Sequence, residues 1–97
     1  MGNKRIRDKK HLKRICEDGC MICGGEAIPH HLLRSGSHGG SLKAPDTEAV
    51  PLCPAHHDEL HRNGNEVAFF EDYAIPYAEV LEYVAELWKE TLTLRGK

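Results

Sequence analysis

The chain has 97 residues, with 13 Lys+Arg against 15 Asp+Glu, a formal net charge of −2 and 40% hydrophobic residues. This length fits one domain, so a single domain and not a two-domain enzyme is expected, and a core so small is expected to need a metal or disulfide staple. No apolar run reaches the roughly 18–20 residues of a spanning helix and no apolar stretch follows the basic start, so a cytoplasmic protein without membrane anchor or signal peptide is expected, in the host cell cytoplasm if phage-encoded.

In chain order, residues 3–18 place Ile6, Leu12 and Ile15 among Lys4, Arg5, Arg7, Lys9, Lys10, Lys13 and Arg14, the pattern of a basic helix that Gly19 ends. Such a run is either a solvated face or a phosphate-contacting arm. Residues 20–25 read Cys-Met-Ile-Cys-Gly-Gly, a tight turn carrying two thiols. Residues 27–33 suit a short strand, which Pro29 confines to an edge or a strand start. The Gly/Ser-rich stretch 35–41 is a loop, and residues 49–53 suit a returning partner strand. Pro54 then opens a helix through Arg62, stopped by Asn63-Gly64. Near Pro76 a last, amphipathic helix of about four turns begins, with Tyr77, Leu81, Val84, Trp88 and Leu92 as its core stripe. Glu79, Glu82, Glu86 and Glu90 lie on its other face, so the two ends of the chain have opposite charge.

With no export signal the 4 Cys are expected as thiols, and 7 His beside them point to metal. Cys20-x2-Cys23 and Cys53-x2-His56 repeat one spacing thirty residues apart, and together make a Cys3His set for structural Zn²⁺. Cys16 lies four residues before Cys20, and on a helix it packs as a small apolar residue. His57 and His61, four apart on the expected helix, project from one face and can share an ion. His30 and His31 are neighbours on a strand and point to opposite sides, so one can bind metal while the other serves a different task. A ββα unit packing strand 27–33 on helix 54–62 brings one of the pair to the His57/His61 ion. Otherwise these imidazoles are surface residues or supports of the zinc site.

Cys-x2-Cys, Pro29-His30-His31, the Gly-rich loop, Lys43-Ala44-Pro45-Asp46 and Val50-Pro51-Leu52-Cys53-x2-His56-His57-x3-His61 together resemble the HNH (ββα-metal) endonucleases. Within them the chain is most similar to the small phage and prophage branch of the recombination-enhancement nuclease Ref and YbcO-like proteins. The resemblance implies a small α+β zinc-stabilised domain with a ββα-metal (His-Me finger) motif and zinc knuckle over 20–64. A basic N-terminal helix within 1–19 and a C-terminal amphipathic helical segment, 65–97, would flank it. It implies His31 as general base and His30, His57 and His61 as ligands of a catalytic divalent cation, Mg²⁺, Mn²⁺, Ni²⁺ or Zn²⁺. The motif's middle Asn is missing: Glu48 stands at its usual place, and Asp46 nearby is the candidate for orienting His31.

Phosphodiester hydrolysis suits these residues, because a cation with open positions stabilises the phosphorane and the departing oxygen while an imidazole takes a proton from water. The reading is therefore a metal-dependent DNA endonuclease serving phage or prophage recombination or DNA processing, with DNA as partner and a recombinase or other phage protein as a further one. Lys43, Arg34 and Arg62 are the candidate phosphate contacts, with little base readout expected from so few aromatics. Its rival is a catalytically inactive zinc-stabilised DNA- or protein-binding module, and a more distant one a metal-handling or redox-sensing protein using Cys16. Cys16, His11 and His38 take no role in the main reading, and the oligomeric state is left open.

Overall fold

Asp8 starts the first helix: its carboxylate accepts the His11 N–H at 3.0 Å, and α1 runs Lys9–Glu17. The protein is seen in a computed structural model that describes residues 7–33 and 44–96. Gly19 ends α1 at φ +90, where a Cβ would collide with the Gly24 carbonyl, so the turn back over the thiols requires glycine. The turn is tied down at both ends, Cys20 N–H donating to Gly25 O at 2.7 Å and Met21 N–H to Pro51 O at 2.9 Å.

Strand β1, Ile28–His31, pairs antiparallel with β2, Ala49–Leu52, in a two-stranded sheet. Pro29 stands opposite Pro51, His30 opposite Val50 and His31 opposite Ala49. Two prolines have no N–H to exchange, so they fit the pair position that makes no ladder bond, and Pro51 O is spent on Met21 instead. β1 is shorter than the expected 27–33, although the Leu32 N–H still reaches Glu48 O at 2.9 Å. A 3-10 turn, Asp46–Glu48, precedes β2.

Helix α2, Pro54–Asn63, begins as the sequence suggested: Cys53 caps it, Pro54 is its first residue, and Gly64 at φ +77 closes it with its N–H on Leu60 O. Helix α3, Glu66–Asp72, was not expected as a separate element. Asn65 caps it by accepting the Ala68 N–H at 3.1 Å. Helix α4 runs Tyr77–Arg95, 19 residues, longer than the four turns expected.

The main core gathers Leu32, Val50, Leu52, Leu60, Phe69, Phe70, Val80 and Val84, and a smaller cluster joins Ile15, Ala49 and Leu87 under α1. The buried side of α4 is therefore Val80, Val84, Leu87 and Thr91. This corrects the sequence stripe, because Leu81 and Leu92 are exposed at 36% and 49%. On this side of the helix Thr91 meets α1, whose His11 and Arg14 both reach it. Among the described residues no helix is long and apolar enough to cross a membrane.

Candidate metal centre

The thiol turn and the start of α2 bring Cys20, Cys23, Cys53 and His56 together, with ligand atoms all within 4.8 Å of one another, a group that can hold a metal ion. Cys20 Sγ lies 3.7 Å from His56 Nδ1, Cys53 Sγ 3.1 Å from the same nitrogen, and Cys23 Sγ 3.8 Å from Cys53 Sγ. Burial pushes the Cys20 thiol up, but surrounding N–H groups, including Ile22 N–H at 3.3 Å, outweigh it and hold it at about 6. The His56 N–H on Cys53 Sγ likewise favours the thiolate there. The Gly25 N–H favours a thiolate at Cys23 too, but burial and the neighbouring Cys53 and Cys20 outweigh it and raise that thiol, so a metal, which requires thiolates, has to displace its proton. Cys16 stays outside this group, half-buried against the cluster under α1, where burial pushes its thiol up.

A second group forms where β1 meets α2. His30, His57 and His61 also place ligand atoms within 4.8 Å of one another, and the His57 and His61 Nε2 atoms are 3.1 Å apart. The His30 ring lies 5.2 Å and 5.6 Å from theirs, centroid to centroid. The i, i+4 spacing on α2 sets the first pair side by side, and the β1 register brings His30 over them. His30 is buried and His61 exposed, so the group has a closed side and an open side. Burial pushes His57 down and the neighbouring His30 and His61 push it further, so its imidazole is neutral at neutral pH with a lone pair to offer.

His31 turns to the other side of β1. Its Nε2 meets Asp46 Oδ1 at 2.7 Å, and Asp46 Oδ2 accepts the Asp8 N–H at 2.6 Å. Burial pushes the Asp46 carboxyl up, but His31, the Asp8 N–H and the charge of Arg7 together hold it below its ordinary value. Arg62 is exposed and paired with Asp58 at 3.2 Å. Lys43, Arg34 and His38, with Lys4 and Arg5 of the basic run, lie outside the described residues.

Sequence reasoning missed Glu66. It is 2% exposed, faces His30 Nε2 at 2.7 Å through Oε2, and accepts the Leu33 N–H at 2.9 Å and the Tyr77 O–H. The signal was the carboxylate next to the Asn65 cap, followed by the apolar Phe69-Phe70 pair. It also missed the buried His11, whose Nδ1 is 2.6 Å from Thr91 Oγ1.

The chain is similar to the "Uncharacterized protein YdfU" of Escherichia coli (strain K12), 34% identical over 82 residues, which make 84% of this chain and 23% of that protein. It thus spans about a quarter of the length of the curated relative it matches. No solved structure matches it. The family model described as "Protein of unknown function (DUF968)" matches residues 2–93, and over that nearly complete span the chain belongs to the DUF968 family.

Proposed function

We propose that this chain is a metal-dependent DNA endonuclease of the HNH (ββα-metal) kind, with β1, β2 and α2 as its ββα unit. The observation that carries the reading is one pair of strand residues: His30 joins His57 and His61, while His31, its neighbour, meets Asp46. Adjacent strand residues thus serve an ion site on one side and a polarised imidazole on the other.

Structural zinc suits the Cys3His group. A tetrahedral ion with bonds of about 2.3 Å to sulfur sets its sulfur ligands about 3.8 Å apart, and the Cys23–Cys53 separation is 3.8 Å. His30, His57 and His61 would hold the second divalent cation, which supplies positive charge to a phosphate oxygen and to the departing 3′ oxygen. Asp46, a carboxylate, receives the His31 Nε2–H and leaves Nδ1 to take a proton from the attacking water. Asp8 keeps the Asp46 carboxylate from turning by donating its N–H to the second oxygen. The exposed Lys9, Lys10 and Lys13 of α1, with Arg62, Arg34 and Lys43, supply phosphate contacts, so binding falls with salt. In a phage or prophage setting such an enzyme serves recombination or DNA processing.

The test is nicking of supercoiled plasmid by wild type and His31→Ala with Mg²⁺, Mn²⁺ or Ni²⁺. Wild type is expected to nick with at least one metal, and His31→Ala to lose roughly 10²- to 10⁴-fold in rate. Wild type that nicks with none overturns the enzyme and leaves a zinc-stabilised binding module.

A further inference from the structure

Glu66 lies 36 residues from His30 in sequence and on a different element, yet its carboxylate is wholly buried against the imidazole, with side-chain exposures of 0% and 2%. A buried carboxylate is costly unless its lone pairs are met. Among the described residues, two donors act on it independently of His30: the Leu33 N–H, 2.9 Å and 3.0 Å from the two oxygens, and the Tyr77 O–H on Oε1. A peptide N–H can only donate, so both oxygens are already acceptors. With Glu66 ionised, Oε2 can only accept, and the His30 Nε2 that lies 2.7 Å from it is the N–H of the ring. That bond fixes the tautomer and leaves Nδ1 as the lone-pair nitrogen of the ring.

We propose that Glu66 is the positioning residue of the second metal site, holding His30 as its Nε2–H tautomer so that Nδ1 is presented to the ion shared with His57 and His61. The inference rests on the metal centre of the proposed nuclease. Glu66 touches neither ion nor substrate; it acts through His30, turning the ring and raising the basicity of the ligating nitrogen. It also unites three elements on one carboxylate: β1 through His30, α3 through its own backbone and α4 through Tyr77. Partners that orient metal-bound imidazoles in this way are worth roughly 10- to 100-fold in metal affinity.

The test is calorimetric titration of the zinc-containing protein with Ni²⁺, comparing wild type, Glu66→Gln and the surface control Glu79→Gln. Wild type and the control are expected to bind one further ion with the same affinity, and Glu66→Gln to bind it roughly 10- to 100-fold more weakly. Nitrogen NMR of the imidazoles at about pH 8, above the ordinary imidazole pKa, gives a readout that does not need the ion. His30 is expected as a single Nε2–H tautomer in wild type and as a mixture in Glu66→Gln. Wild type that takes up no second ion overturns the metal centre itself, and this proposal with it. Wild type that binds Ni²⁺ while Glu66→Gln binds it equally well overturns only the role of Glu66. If Glu66→Gln does not fold, the wild-type spectrum still decides, since His30 found as the Nδ1–H tautomer overturns the proposal.

Discussion

Asp46 is held by two groups that differ in what they can accept. The Asp8 N–H can only donate, to Oδ2 at 2.6 Å, whereas His31 Nε2, at 2.7 Å from Oδ1, can donate or accept according to its tautomer. Asp46→Asn should therefore act through direction as well as charge. The Asn oxygen must face the Asp8 N–H, which turns the Asn NH2 toward His31 Nε2 and puts the ring proton on Nδ1, the nitrogen needed to take one from water. We expect the variant to melt within a few degrees of wild type and to nick plasmid at least about 10²-fold more slowly, the lower end of what base catalysis is worth. Unchanged nicking would show that Asp46 does not set the tautomer. His31 and Asp46 stood out through the resemblance to the HNH endonucleases, whereas the Cys-x2-Cys and His-x3-His spacings did so because turns and helices fix neighbours by covalent proximity. The groups that aim them did not. The Asp8 amide is 38 residues from Asp46 and Glu66 is 36 from His30, and no spacing rule links residues brought together only by packing.

At the scale of elements, α1 and α4 meet through polar groups that a hydrophobic count overlooks. Thr91 is 3% exposed on α4 and serves two partners on α1. Arg14 Nε donates to its hydroxyl oxygen at 2.8 Å, and His11 Nδ1 lies 2.6 Å from the same oxygen. The His11 ring also makes an edge-to-face contact with Trp88 at 5.0 Å between centroids. Arg14 also donates to Leu87 O at 2.6 Å, and Arg95 closes the other end of the contact on Asp8 at 2.6 Å. Thr91→Val keeps the shape and leaves the buried His11 Nδ1 and the part-buried Arg14 Nε without this partner, so urea unfolding should show a loss of about 1–3 kcal/mol. The sequence stripe misplaced Leu81 and Leu92 for the same reason: it put the two leucines in the core and did not include Thr91. Helix α3 was passed over because Gly64 was taken as a stop and Asn65 not as a new start.

This contact also carries a pH dependence. Burial lowers the His11 pKa and the Arg14 charge lowers it further, against the opposing pull of Asp8, while Arg95 and Asp46 act with smaller and opposite signs. Its folded value thus lies below the 6.5 of the unfolded chain, so the unfolded chain takes up the proton first. The stabilisation is complete above that pH and is lost as pH falls from it toward the folded value. Urea midpoints measured down through this window should fall for wild type, and fall less for His11→Phe, which keeps a buried ring without the titration. Equal slopes would assign the dependence to other groups.

For the whole molecule, the two candidate ion sites should have opposite consequences. The Cys3His group joins the thiol turn to the start of α2, and both Cys20 and Cys53 lie against the main core, so a bound ion closes the segment that contains β1, β2 and the His30 and His31 side chains. Structural zinc contributes about 10–16 kcal/mol in small domains, comparable to or above the 5–15 kcal/mol of net stability typical of a domain. Removing it with a strong chelator, or blocking it with Cys53→Ser, should therefore abolish cooperative unfolding and release Trp88 fluorescence to its solvent-exposed position, leaving some helical signal from α1 and α4. The His30, His57 and His61 group lies at the edge, with His61 exposed, and none of the three belongs to the main core cluster. His61→Ala should then melt within a few degrees of wild type while losing Ni²⁺ binding and plasmid nicking. Chelated protein that keeps its cooperative transition would show that the core suffices alone. A His61→Ala variant that unfolds would show instead that the outer site holds the fold together.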